Sequence, residues 1–249
     1  MPQSRASPSI PPIQPPGWWI TFAWIGALLF ALSLGYFLYV YLVRFERIVQ
    51  GDAPLRPILV DAALFTAFAA HHSVFARTRP KRWLQRNMHA AVERSLYTWI
   101  ASLMFIAVCW SWQDVPGVPY RFPPAFAWIG YLVQACGVLL IIHASKRLDV
   151  LDLAGVRASL AVPSALERRV PLITTGVYAL ARHPIYLGWA LFVFGSPTMT
   201  ATRLVFAVIS TTYLMVAIPW EERGLIREFG AAYEAYRRQV RWRMLPGIY

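Results

Sequence analysis

The sequence predicts an all-α fold: a multi-pass transmembrane helical bundle with five full spans plus a short hairpin helix. Three observations predict it. Of 249 residues, 57% are hydrophobic and only 14% charged, against about 25% charged in an ordinary soluble domain, and a soluble protein of this size could not bury so much apolar surface. The apolar residues gather into runs that a helix can use to cross a hydrocarbon core roughly 30 Å thick. Lys and Arg fall between those runs. The formal net charge of +12 then reads as cytoplasmic charge facing anionic lipid, and no nucleic-acid partner is expected.

Residues 1–17 are polar and rich in proline (Pro2, Pro8, Pro11, Pro12, Pro15, Pro16) and read as a disordered tail. Residues 18–249 read as one domain. Trp18 to Val43 is an uncharged run too long for a signal-peptide core, hence a first span. Leu59 to Phe75 is a second, interrupted by Asp61 and ended by His71 and His72. Leu96 to Trp112 is a third and Phe126 to Ala144 a fourth. A polar stretch from Ser145 to His183 follows. Ile185 to Phe194 is apolar but about half the roughly 20 residues that a crossing needs. Thr200 to Trp220 is full length. Gly195, Ser196 and Pro197 supply a turn, so the last two runs pair as a helical hairpin, its first arm extended backward by the polar residues before it. Cys109 and Cys136 sit inside apolar runs and read as small buried hydrophobes, with no disulfide and no metal site.

The basic residues set the orientation. Six lie between Arg77 and Arg94, six between Ser145 and His183, and six after Trp220. The 113–124 loop has only Arg121 and the last hairpin only Arg203. The three basic segments are therefore expected to face the cytoplasm. The first loop, with Arg44, Arg47 and Arg56, disagrees with that alternation. In the tail, Leu225, Ile226, Phe229, Tyr233, Tyr236 and Val240 share one helical face, opposite Arg227, Glu234, Arg238 and Arg241. This amphipathic helix either lies on the membrane surface or packs on a cytoplasmic loop.

Ionisable groups at membrane depth are functional candidates. Two clusters stand at the expected cytoplasmic face: Arg182-His183-Pro184-Ile185-Tyr186-Leu187-Gly188, where a polar loop enters a helix, and Glu221-Glu222, where the final span leaves the membrane. Pro184 suits a first helical turn. The free N–H groups of that turn would take a carboxylate, with Arg182 as a bidentate partner. Gly188 lets another group approach the helix closely. Glu222 falls on the face of Phe229 and Tyr233, about 100° from Glu221, and its partner is an amine, a ribose hydroxyl or Arg182. Taken singly these residues fit interfacial anchoring; together they match a zwitterion carrying a second cation.

The run Gly176-Val177-Tyr178, Arg182 to Gly188, Glu221-Glu222, Phe229-Gly230, Tyr233, Tyr236 and Leu245-Pro246 resembles the isoprenylcysteine carboxyl methyltransferase and phospholipid methyltransferase superfamily. The resemblance covers roughly the C-terminal third. It implies S-adenosylmethionine bound by Gly176, Tyr178, Arg182, His183, Pro184, Tyr186, Gly188, Glu221 and Glu222, within about residues 172–249. His71-His72-Ser73-Val74-Phe75-Ala76-Arg77, Lys81, Glu93-Arg94-Ser95-Leu96-Tyr97, Asp152 to Arg157 and Ser196 to Thr200 resemble the branch of methanethiol S-methyltransferases and NnrU-type accessory membrane proteins. The basic end Arg241-Trp242-Arg243 departs from the pattern. The branch implies a methyltransferase in a bacterial inner membrane, its site facing the cytoplasm and its substrate a small thiol or a lipophilic molecule entering from the lipid. Isoprenylcysteine carboxyl or phospholipid N-methylation, and a non-catalytic accessory role, stay open. His72 and Arg94 are the catalytic candidates, His72 to accept a thiol proton and Arg94 to stabilise thiolate. The same residues could instead form a His–Glu–Arg network tying the second and third spans. Metal ligation is not expected, because adjacent residues of a helix diverge.

Overall fold

The computed structural model describes residues 17–52, 54–75, 90–146, 156–160 and 171–249. The proline-rich tail to residue 16, the basic loop to residue 89 and the Asp152–Gly155 run lie outside them. Among the described residues seven helices of nine or more residues form the fold: α1 Gly17–Tyr39, α2 Leu55–Phe75, α3 Ala90–Ser111, α4 Ala127–Ser145, α5 Pro184–Phe194, α6 Ala201–Phe229 and α7 Ala231–Gln239. A π-helical turn, Val40–Arg44, prolongs α1. A two-stranded antiparallel pair joins Tyr120–Arg121 to Thr198–Met199.

Among the described residues four helices are long and apolar enough to cross a membrane: Gly17–Arg44, Val92–Ser111, Pro124–Ser145 and Ala201–Phe229. The expected second span is α2, a helix of 21 residues whose apolar run is broken by Asp61, His71 and His72, and it is not among the four. The hairpin arm stays at 11 residues. It is not extended backward, because Pro184 starts the helix and the chain before it turns as a 3-10 segment, Gly176–Ala179. Nor is the amphipathic tail one helix. Gly230, at φ 54°, ends α6 and restarts the chain as α7. The apolar face nonetheless survives the break: Tyr233, Tyr236 and Val240 pack with Leu225, Ile226 and Phe229, and with Leu172 of the segment before α5.

Glycines set the closest helix contact. A Cβ on Gly188 of α5 would stand 2.7 Å from the carbonyl oxygen of Gly137 on α4, and one on Gly137 would stand 2.6 Å from that of Gly188. Backbones can meet at this distance only where side chains are absent. Gly26 of α1 likewise admits the Trp99 ring of α3, whose Nε1–H donates to the Phe22 carbonyl at 3.1 Å. Cys109 is buried, but Cys136 is exposed on α4: it lies on the outer surface of the bundle, against the expectation.

The aromatic core lies toward one end. Phe37, Tyr41, Phe45, Phe65, Trp112, Phe192 and Phe206 come together there from α1, α2, α3, α5 and α6. At the same end Arg44 donates to the carbonyls of Cys109, Trp110 and Trp112, at 3.1, 2.9 and 2.7 Å. Its charge is thus spent on the C-terminus of α3, which accounts for one of the arginines that break the loop alternation. Asp61 is fully buried nearby and accepts the Gln113 N–H at 2.8 Å. The other end of the bundle holds the start of α5 and the exit of α6.

Candidate active site

At that other end the site begins with the entry into α5. His183 precedes the helix and Pro184 occupies its first turn, where a missing N–H costs nothing. Several N–H groups around this entry have partners. Arg182 N–H donates to the Trp242 carbonyl at 3.0 Å and His183 N–H to that of Arg243 at 2.8 Å. Tyr186 and Leu187 N–H both reach the His183 carbonyl. The chain's own C-terminal segment therefore packs on the two residues that precede the helix.

Arg182 is buried and fully engaged. Its Nε–H meets Glu222 Oε1 at 2.7 Å, while Nη1 donates to the Val240 and Arg241 carbonyls at 2.6 and 2.9 Å. Of the partners open to Glu222 in the sequence, Arg182 is the one found. Glu222 is 3% exposed and lies among basic side chains: His183 Nε2 is 3.7 Å from Oε1, and the guanidinium groups of Arg243 and Arg237 stand 3.5 and 3.9 Å from Oε2. A buried carboxylate this well matched holds α5, α6 and the C-terminal segment together, and removing one partner would strand the other's charge.

Glu221 points elsewhere, exposed. It accepts the Tyr186 hydroxyl proton, and His183 Nδ1 is 3.5 Å from its Oε2. The His183 ring stacks on Tyr186 with centroids 5.4 Å apart. Tyr178 ties this end to α7 by accepting the Tyr236 hydroxyl at its carbonyl, at 2.7 Å. Burial pushes the Tyr233 phenol up to about 12, so it remains neutral at any working pH. Gly176 adopts φ 66°, which favours glycine at the turn before Tyr178. The group that Gly188 admits to the helix is α4.

Beside Arg182 lies a cavity of about 560 Å³. Among the described residues five guanidinium groups line it, from Arg182, Arg237, Arg238, Arg241 and Arg243, against one carboxylate, Glu234. Trp242 and Tyr249 add aromatic surface. Sequence reasoning missed this wall. Arg238 and Arg241 were visible only as the polar side of an amphipathic helix, and the basic end only as a departure from a family pattern.

The substrate-side candidates lie on α2 and α3. His72 Nδ1 is 2.7 Å from the Tyr97 hydroxyl, a contact that ties the two helices together. Arg94 is half-buried, one helical turn before Tyr97, with its carbonyl accepting from Thr98. Glu93 is buried. Ser73 Oγ meets the Tyr213 hydroxyl at 2.8 Å, joining α2 to α6. Among the described residues no three His, Cys, Asp or Glu side chains gather to hold a metal ion.

Helices apolar enough to cross a membrane, with a polar site gathered at one end, define an integral-membrane enzyme, and comparison with known proteins names its kind. Residues 103–240 match the family described as "Protein of unknown function (DUF1295)". The chain is 37% identical over 188 residues to methanethiol S-methyltransferase 2 of Bradyrhizobium diazoefficiens, covering 74% of this chain and 71% of the relative. It is 33% identical over 198 residues to the methanethiol S-methyltransferase of Mycobacterium tuberculosis, covering 76% and 78%. Nurim of Xenopus laevis is more distant, 28% identical over 166 residues, or 62% and 58%. No solved structure matches. The chain belongs to the DUF1295 family, in the branch that contains the methanethiol S-methyltransferases, and it is a membrane methyltransferase.

Proposed function

We propose that the protein methylates a small thiol, methanethiol or a close analogue, using S-adenosylmethionine, from a bundle of five spans whose site faces the cytoplasm. The observation that carries this reading is the convergence of Arg182, His183, Tyr186, Glu221 and Glu222 beside a cationic cavity in a chain 37% identical to a named thiol methyltransferase. The residues fit the cofactor. Guanidinium groups suit its carboxylate, the Trp242 ring suits a purine face, and the exposed carboxylate of Glu221 suits an amine or a sulfonium. A volume of about 560 Å³ lies within the range of small-molecule sites.

When bound, S-adenosylmethionine would supply a methyl group already activated as a sulfonium, so the chain's own groups mainly bind, align and exclude water. Arg182 acts by holding the C-terminal segment against α5 through Glu222 and two carbonyls. Arg238 and Arg241, which line the cavity, carry the anion-binding role that the sequence assigned to the helix start. The six arginines after Trp220 favour the cytoplasmic orientation. Lipids would contact the exposed Trp18, Trp24, Trp110 and Trp128.

Purified protein supplied with methyl-labelled S-adenosylmethionine and a panel of methanethiol, prenylcysteine and phosphatidylethanolamine tests the reading. Label should pass to methanethiol. Label passing only to prenylcysteine or to the phospholipid would move the acceptor to a carboxylate or an amine. The likeness to Nurim, whose name states no reaction, favours a second reading: a membrane protein that keeps the fold without catalysis. In that case no acceptor in the panel would take label.

A further inference from the structure

Across the bundle from the cavity wall, Tyr97 of α3 touches His72 of α2 twice. Its hydroxyl is 2.7 Å from Nδ1 and 3.4 Å from the carbonyl oxygen of the same histidine. The imidazole lies between two rings, with centroids 5.8 Å from Phe68 and 5.8 Å from Tyr97. His72 is exposed, and among the described residues no protein group bonds to Nε2. The neighbours of this pair lead toward the cofactor residues. Tyr213 of α6 meets Ser73, and Tyr97 and Tyr213 both lie close enough to Tyr186 to interact with it electrostatically. Tyr186 donates to Glu221. His72 thus lies in the same neighbourhood as Tyr186 and Glu221.

A neutral imidazole has one donor and one acceptor nitrogen, and the bond made by one nitrogen decides where the proton sits. A phenol is a better donor than acceptor, and 2.7 Å is the usual length for an O–H donor. The shorter contact, 2.7 Å to Nδ1 against 3.4 Å to the carbonyl, fits Tyr97 donating to Nδ1, which puts the ring's own proton on Nε2.

We propose that Tyr97 is a positioning residue for thiol methylation: it fixes His72 as the Nε2–H tautomer, and that N–H hydrogen-bonds the acceptor sulfur as thiolate. The inference rests on the proposed function and changes the part given to His72. With a proton on Nε2 there is no lone pair to take one from a thiol, so His72 is a donor and not a general base. The thiol proton passes to solvent. The thiolate, which is the nucleophile, is held by the N–H. A sulfur lone pair forms the new S–C bond, and the electron pair of the broken sulfonium–methyl bond stays on the departing thioether sulfur.

Histidine ¹⁵N NMR on the full-length protein in detergent, without cofactor, tests the tautomer, with His72 assigned through loss of its signals in His72→Gln. The wild-type ring should carry its proton on Nε2, with Nδ1 as a hydrogen-bonded acceptor, and Tyr97→Phe should populate both tautomers. Methanethiol turnover in Tyr97→Phe should fall about tenfold, as when a partner orienting a functional imidazole is lost, with S-adenosylmethionine affinity within about twofold. The acid side of its rate profile should move to higher pH. A proton on Nδ1 in the wild type, or an unchanged tautomer in Tyr97→Phe, overturns the positioning role alone. A cofactor affinity that falls as far as turnover also overturns it, making Tyr97 a fold residue. No methanethiol turnover in the wild type overturns the proposed acceptor and the positioning role with it, whichever tautomer is found.

Discussion

Two buried arginines mark opposite ends of this bundle and differ in what surrounds them. Arg203, near the start of α6, is 3% exposed. It donates to the carbonyls of Tyr41, Leu42 and Thr198 and to the Ser196 hydroxyl, at 2.8 to 3.1 Å. Its surroundings close further: Thr200 caps α6 through the Arg203 N–H and donates to the Phe45 carbonyl, and Thr202 bonds both ways with Val115. Arg182, at the start of α5, is also satisfied, but by a carboxylate, and that carboxylate draws Arg237 and Arg243 toward it. Around Arg182 there is an excess of cations and a cavity; around Arg203 the donors meet fixed acceptors. Burying an arginine does not by itself mark a site. An uncompensated charge facing open space does.

The comparison can be broken from either side. Arg203→Ala should have the largest effect on folding. It removes the Arg203 donor from the Tyr41 and Leu42 carbonyls at about 1–3 kcal/mol each, while Thr198 keeps the Ser196 hydroxyl, against a total stability of about 5–15 kcal/mol. The near-UV circular dichroism of the detergent-solubilised variant should show loss of the cooperative transition; a wild-type midpoint would deny Arg203 its structural role. Glu222→Gln should come next, at about 3–5 kcal/mol, because it leaves the Arg182 charge buried without its partner. The same melt measures it, and an unchanged midpoint would remove Glu222 as the tie. Gly188→Ala should cost about 1–3 kcal/mol by overpacking α5 against α4, with cofactor affinity unchanged; a selective loss of affinity would return Gly188 to the cofactor site. The double variant Arg238→Gln/Arg241→Gln should be within about 0.5 kcal/mol of the parent in stability and should act on binding alone.

These contrasts also show what the sequence could reveal. Helix identity was legible because apolar runs report burial in lipid directly, and the divergence of Glu221 and Glu222 followed from their 100° separation on α6. Two features were not legible. The backward extension of α5 fails at Pro184, and the single tail helix fails at Gly230: each is a local backbone event inside an otherwise consistent pattern. The C-terminal segment's hold on Arg182 and His183 was not legible, because the carbonyls of Trp242 and Arg243 lie about sixty residues further along the chain, and no local pattern announces them. Tyr97 was in view as part of a motif, but its bond to His72 depends on how α2 and α3 are set against each other. The resemblance to a known family supplied which residues belong together; the fold supplied what each one touches.

The central claim is that the end of the bundle with unbalanced charge is the cofactor site and the end with balanced charge is structural. Titration calorimetry of S-adenosylmethionine into the detergent-solubilised protein tests it most directly, with the parent compared against Arg238→Gln/Arg241→Gln. The account predicts saturable binding in the parent and an affinity at least about tenfold weaker in the variant, or about 1.4 kcal/mol, with both proteins melting alike. Equal affinity in two equally folded proteins would contradict it.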